Sequence, residues 1–158
     1  MASLLRSRQR IIDHGEVFTP PEIVEAMLDL VKTESGRIDS RFLESACGSG
    51  NFLIAVLRRS LAAVEDRCRR NELERKRYAL LAPMSLYGIE LAAHNVAERQ
   101  ENLTDEFVAF VDGDPEWKTA GRAVLKANVL WADVDSHDIL SPVHEYPPVT
   151  YLEVARGA

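Results

Sequence analysis

Apolar positions recur along the chain at alternating helical and strand-like spacings, and the punctuation between them marks the elements. Thr19-Pro-Pro-Glu22 reads as a helix start, with Thr19 as cap, Pro20 at the first helical position and Glu22 as the capping-box acid. Ile23, Met27, Leu30 and Val31 follow at spacings that put them on one apolar helix face, and Gly36 ends the unit. Residues 38–43 predict a short buried strand ending near Glu44, and Cys47-Gly-Ser-Gly50 then forms a tight glycine turn. Residues 52–64 are strongly apolar at helical spacing, and charged positions continue to about Tyr78, which predicts one long helix or two abutting ones.

Pro83 breaks that pattern, and residues 85–90 read as a second strand ending in Glu90. Helical spacing resumes over residues 91–103. Beyond it, Phe107 to Val111 is an apolar run, Asp112-Gly-Asp-Pro115 is a turn, and residues 123–125 suit a short helix. Residues 127–133 predict a third strand ending in Asp133, and residues 149–154 a fourth. The chain shows no internal repeat, low-complexity tract or long flexible linker.

Strands alternating with helices imply an α/β fold with a parallel sheet and flanking helices, in which ligands bind outside the carboxyl ends of the strands. Glu44, Glu90 and Asp133 all fall at such ends. A chain of 158 residues with 46% hydrophobic content suits a single domain over residues 1–158 able to bury a sizeable core.

Charge and cysteine usage narrow the classes. The net charge of -6 and the pI of about 5.3 argue against a chain-wide basic surface for gripping phosphates, so this domain alone should bind DNA poorly. Basic residues cluster at Arg6, Arg8 and Arg10 and again over residues 67–77, where Glu72 and Glu74 interleave as on a solvated helix face. Cys47 and Cys68 are too far apart for a redox or zinc pair and too few for a disulfide framework, so a reducing, cytoplasmic setting is expected. No signal-like segment opens the chain, and no apolar run approaches the roughly 20 residues that span a bilayer. Neither export nor membrane insertion is expected.

Within Ala46-Cys-Gly-Ser-Gly50, glycines permit positive φ and a close approach to a ligand, while the helix beginning at Asn51 offers free N–H groups to a carboxylate or phosphate. An ordinary strand-to-helix turn explains the same residues. Phe52 and Leu53 stand where a dinucleotide fingerprint would place a third glycine, which disfavours that class. An acid placed like Glu90 can accept hydrogen bonds from both hydroxyls of a ribose, or simply be a helix N-terminal acid stabilised by the dipole. Asp133 can accept from an adenine amino group, or be a plain turn acid.

Four segments in this order carry a family likeness: His14-Gly-Glu-Val-Phe-Thr-Pro-Pro21, Phe42-Leu-Glu-Ser-Ala-Cys-Gly-Ser-Gly-Asn-Phe-Leu53, Tyr87-Gly-Ile-Glu-Leu91 and Asn128-Val-Leu-Trp-Ala-Asp133. They resemble motifs of the N6-adenine-specific DNA methyltransferases of restriction-modification systems, and together they span most of the chain. The resemblance implies a class I (Rossmann-like) methyltransferase fold, incomplete at three to four strands, that binds S-adenosyl-L-methionine across its strand ends. It also implies roles for individual residues. Phe18 and Thr19, in a helical N-terminal segment over residues 1–35, would cover the cofactor's methionine side. Glu44 and the backbone of Ala46, Cys47, Gly48 and Gly50, with Asn51 opening the helix, would line its amino-acid and sulfonium region. Glu90 would bind the ribose and Asp133 the adenine N6, while Leu91 would add an apolar contact and Phe52 would mainly fill core. Ser45 stands where the family favours proline and Glu44 where it favours aspartate; a carboxylate and a turn-compatible residue remain.

Methyl transfer to adenine N6 requires a flipped base stacked on an aromatic residue, and the family uses an Asn/Asp-Pro-Pro-aromatic tetrapeptide for it. The Pro-Pro pair downstream of Asp133 sits in Tyr146-Pro-Pro-Val149, which has neither the amide acceptor nor the ring. The expectation is therefore a truncated, cofactor-binding part of such an enzyme, inactive in isolation and meeting DNA only indirectly or with a partner chain. An incomplete sheet would leave an open edge, favouring a homodimer or a restriction-modification subunit. The alternative is a non-catalytic binding or assembly module of a restriction-modification complex; a methyltransferase for RNA or protein is disfavoured by the Phe-Thr-Pro and Asn-Phe-Leu segments. Asp133-Val-Asp-Ser-His-Asp138 admits a metal reading, but a short acidic loop is more often solvated, and no metal is expected.

Overall fold

A computed structural model of the chain describes residues 19–48, 50–90 and 92–131, with the side chains of Ala93 and His94 excepted. The first helix, α1 (Pro21–Leu30), starts one residue later than the sequence suggests. Pro20, extended at φ -60° and ψ 145°, is the residue before the helix, Pro21 takes the first helical position, and no side chain caps the free N–H groups. Its buried face also differs: Val24 and Leu28 are inside, whereas Ile23, Met27, Leu30 and Val31 are exposed. The i, i+4 spacing holds for both sets, so periodicity alone does not choose between them; packing against α3 does. A four-residue turn of helix, α2 (Lys32–Ser35), closes the unit at Gly36.

Three strands make a parallel sheet in the order β1-β2-β3: β1 (Phe42–Glu44), β2 (Leu86–Glu90) and β3 (Val129–Trp131). Register pairs Glu44 with Gly88, and Glu90 with Trp131, so both carboxylates lie at one end of the sheet. β1 is shorter and more open than residues 38–43 predict, with Leu43 61% exposed. The proposed fourth strand at residues 149–154 lies outside the described residues.

Two helices fill each crossover. α3 (Asn51–Cys68) and α4 (Glu72–Met84) join β1 to β2, while α5 (Ala93–Phe110) and α6 (Pro115–Asn128) join β2 to β3. The long apolar-then-charged stretch is thus two helices, divided where Asn71 caps α4 by accepting from the Glu74 N–H at 3.1 Å. Pro83 does not end the helix before it. It sits in the last turn of α4, where its carbonyl is taken up by Asn128 Nδ2 at 3.2 Å. Phe107 belongs to the continuous 18-residue α5, and residues 123–125 belong to the 14-residue α6. Those segments are helical because their apolar residues, Leu103, Phe107 and Leu125, are fully buried once the two helices pack together.

Within the second basic cluster Arg67, Arg69, Arg70 and Arg77 are exposed, as expected of a solvated face, whereas Arg75 and Lys76 act as struts. Arg75 on α4 donates to the Phe110 carbonyl at 2.9 Å and Asp112 at 2.7 Å, with its guanidinium 4.9 Å over the Phe110 ring. Lys76 pairs with Asp114, the cap of α6, at 3.1 Å. These contacts fix the α5–α6 turn, where Asp112 and Gly113 both adopt positive φ. Arg59 on α3 does the same for α1, reaching Asp29 at 2.8 Å and the buried Ser35 hydroxyl at 3.1 Å.

α5 and α6 approach closely because Gly121 has no side chain: a Cβ there would land inside the Phe107 ring. Gly121→Ala is therefore expected to lower stability by about 1–3 kcal/mol through overpacking. A urea midpoint unchanged from wild type would contradict that packing.

Candidate functional site

The turn between β1 and α3 is built against the middle of the sheet. Its Cys47 N–H donates to the Ile89 carbonyl of β2 at 3.0 Å, and the Gly50 N–H returns to the Cys47 carbonyl at 2.6 Å. Gly48 and Gly50 adopt φ 40° and 74°, a region that strongly favours glycine, and Gly50 stands as the residue before α3. No side chain caps that helix, so its first N–H groups face the turn. Gly88 on β2 makes room for the turn, since a Cβ there would meet Leu53 Cδ1 at 2.9 Å and Cys47 Sγ at 3.4 Å.

A pocket of about 60 Å³ opens beside this turn, lined by Thr19, Val24, Met27, Glu44, Ala46, Cys47, Gly48, Asn51 and Phe52. Six of these are residues singled out by sequence: Thr19, Glu44, Ala46, Cys47, Gly48 and Asn51. That volume matches one or two water-sized groups, so it suits the end of a ligand rather than a whole nucleoside. Asn51 Nδ2 donates to the Thr19 carbonyl at 3.1 Å and ties the start of α1 across the pocket to the start of α3. Phe52 lines the pocket while its ring packs edge-on to Phe42, with centroids 6.5 Å apart, so it is both wall and core.

Glu90, at the end of β2, is 7% exposed, and its Oε1 accepts from the Ala92 N–H at 2.9 Å. That bond goes to the residue before α5 rather than to a helix N–H, and no side chain caps α5. Phe18, Leu91 and Asp133 lie outside the described residues, as does the acidic run from Asp133 to Asp138. Among the described residues, no group of three or more His, Cys, Asp or Glu side chains is arranged to hold a metal ion.

Burial shapes the chemistry of the turn. Glu44 has one carboxylate oxygen, Oε2, buried with no hydrogen-bond partner. Desolvation pushes its carboxyl up to about 7, opposed by the Leu53 backbone N–H, while the charge of Glu90 raises it and that of Arg99 lowers it. The Cys47 thiol is pushed up to about 12, mainly by burial and then by Glu90 and Glu44. It is a neutral, packed group and neither a nucleophile nor a metal ligand at ordinary pH.

Arg99 escaped the sequence reading. It lies on α5, nine residues beyond Glu90, at a position that looks like any charged helix residue. In the structure it is 4% exposed, and its Nε donates to the Gly48 carbonyl. Val24 and Met27 were likewise unmarked as pocket residues, because only the packing of α1 on α3 brings them there.

The sign of the Glu44 shift gives a stability prediction. Its folded-state value lies above the unfolded one, so the native state holds the extra proton between about 4.5 and 7, and stability falls as pH rises through that window. Glu44→Gln should then be stabilising at pH above about 8, by about 1–3 kcal/mol, and nearly neutral below about pH 4. Thermal melts of the two proteins across pH would refute this if the difference did not grow with pH.

Comparison with known proteins agrees with the geometry. The family model described as N-6 DNA methylase matches residues 6–112, a span that contains the glycine turn, Glu44, Glu90 and Arg99. Searches of curated proteins and of solved structures give no match. With a parallel α/β sheet, a glycine turn packed on its central strand, and a family match over more than half its length, the chain belongs to the N-6 DNA methylase family.

Proposed function

We propose that this chain binds S-adenosyl-L-methionine at the Cys47–Gly50 turn, as the cofactor domain of an adenine-specific DNA methyltransferase of the restriction-modification type, with a class I methyltransferase sheet. The observation that carries this reading is the pocket at the turn, where Glu44, with its Oε2 unpartnered, lines a small cleft beside the start of α3. An α-amino acid end suits such a cleft, since its ammonium can satisfy the carboxylate and its own carboxylate can take up the helix N–H groups.

On this reading Thr19 and Asn51 close the cleft from the side of α1, and the backbone of Ala46, Cys47, Gly48 and Gly50 shapes its floor. Glu90 offers its carboxylate to the ribose hydroxyls. Phe18, Leu91 and Asp133 complete the site by family likeness. When bound, the cofactor supplies an electrophilic methyl group. The residues of this chain bind and orient it and keep water from its amino-acid end.

A specific observation favours a second reading beside catalysis. The sequence holds no Asn/Asp-Pro-Pro-aromatic tetrapeptide, so the chain alone serves as a binding or assembly module, and transfer needs a group from elsewhere. Its partners would be DNA, met through another chain, together with a second copy or a restriction-modification subunit. A cytoplasmic setting accords with that role. Among the described residues no helix is long and apolar enough to cross a membrane.

Calorimetric titration with S-adenosyl-L-methionine should show saturable binding to the wild type, weakened about 10-fold to 100-fold in Glu90→Ala through loss of the charge-assisted hydrogen bonds. Absence of heat with the wild type would remove the cofactor assignment. Labelled methyl incorporation into mixed-sequence DNA should stay at background for the chain alone, and clear incorporation would defeat the module reading.

A further inference from the structure

Arg99 is the buried cation nearest the turn, and its placement is unusual for a residue in the middle of an amphipathic helix. At 4% exposure it is deeper than an arginine is normally found without strong partners. Most of its partners belong to the site. The Nε donates to the carbonyl of Gly48, the stem fills the space over Gly50, and the guanidinium lies within electrostatic reach of Glu44. A Cβ on Gly50 would stand 2.6 Å from Arg99 Cδ, so the glycine and the arginine stem are complementary shapes. Glu98 reaches the outer nitrogen at 3.4 Å and is itself half exposed.

From α5 this one side chain therefore reaches the turn after β1 and the charge of Glu44 at the end of that strand. Two carboxylates, Glu44 and Glu90, stand together at the strand ends, and the charge of Glu90 pushes the Glu44 carboxyl up. Around Glu44 the charged and titratable groups among the described residues are Glu90 from β2, Cys47 from the turn and Arg99 from α5; the Leu53 N–H of α3 faces it as a neutral donor. Arg99 is the cation in that set.

We propose that Arg99 is the positioning residue of the cofactor cleft: it locks the glycine turn through Gly48 and Gly50 and supplies the counter-charge that lets Glu44 and Glu90 share one end of the sheet. This rests on reading the cleft as an S-adenosyl-L-methionine site. Arg99 does not touch the ligand. It acts through the turn, whose shape presents the N–H groups of α3, and through Glu44, whose ionised form is the one that meets an ammonium. Binding in the wild type should accordingly strengthen as pH rises through about 7, where Glu44 loses its proton.

Arg99→Met keeps much of the apolar stem and removes both the donor and the charge, while Arg99→Lys restores the charge without the Nε that holds Gly48. S-adenosyl-L-methionine is titrated by calorimetry into wild type and both variants across pH about 6 to 9, and the Glu44 carboxyl is followed by carbon-detected NMR in parallel. Arg99→Met should bind about tenfold more weakly or worse near neutral pH, with the midpoints of binding and of Glu44 titration both moved upward. Arg99→Lys should return both midpoints toward wild type yet recover only part of the affinity.

Wild-type affinity and pH profile in Arg99→Met overturn the proposal. So does a loss of affinity by the same factor at every pH with Glu44 titrating as in wild type, because that is simple damage to the fold. If Arg99→Met does not fold by circular dichroism, the same criteria are applied to Arg99→Lys, whose unaltered affinity would equally overturn the positioning role. Should the wild type bind no S-adenosyl-L-methionine, the cofactor reading fails by itself, and the NMR titration of Glu44 with and without the Arg99 cation still decides the claim about charge.

Discussion

The close approach of the Cys47–Gly50 turn to the centre of β2 is the constraint on which the rest of the structure depends. The Cys47 N–H bonds the Ile89 carbonyl at 3.0 Å, so the turn must lie on the strand with no side chain between them. Gly88 leaves that space, and the Leu53 and Cys47 side chains fill it. Gly48 and Gly50 then reverse the chain at positive φ so that α3 begins directly over the sheet end. From that start Leu53, Val56, Leu57 and Val64 run down a fully buried face, each contributing roughly 1.5–3 kcal/mol by leaving water.

The same compression collects charge. Parallel pairing of β1 with β2 brings Glu44 and Glu90 to one end, next to a buried thiol, and the site responds by different means for each group. Glu90 is served by the Ala92 N–H, Glu44 is partly relieved by holding its proton up to about 7, and the Cys47 thiol stays neutral. Arg99 enters from α5 as the compensating cation. A cluster organised this way keeps one carboxylate oxygen without a partner, which is a cost in the isolated protein and an attraction for a cationic ligand group.

Much of the remaining positive charge serves internal architecture. Arg59 holds α1 and α2 to α3, and through α1 it sets one wall of the pocket. Arg75 and Lys76 brace the α5–α6 turn, and Arg122 pairs with Glu101. Each of these exposed or half-exposed pairs adds little by itself, about 0–1 kcal/mol, but together they orient the helices that the sheet alone would leave free to slide. Among the described residues, basic side chains spent in this way are not aligned as a phosphate-gripping stripe, which agrees with a net charge of -6.

The local features were legible in the sequence because they rest on local rules. Glycines at 48 and 50 permit the positive φ of the turn, acids after apolar runs mark strand ends, and the alternation of strand and helix dictates parallel pairing. What sequence left open were choices between equivalent local solutions. Val24 and Leu28 repeat with the same spacing as Ile23 and Met27, Asn71 divides one apolar-to-charged run into two helices, and the apolar run from Phe107 to Val111 carries no element assignment by itself. Packing decided each of them: α3 takes the Val24 face of α1, and Gly121 of α6 takes the Phe107 ring. Arg99 and the pocket walls from α1 depended on tertiary structure in the strongest sense, since residues 51 positions apart meet only when the sheet has formed. The sequence by itself therefore determined the glycine turn and the acids at the strand ends, because backbone freedom and strand termination are properties of a few neighbouring residues. Only the tertiary structure decided which side chains enclose that turn and balance its charge, because burial and electrostatic proximity belong to the assembled core.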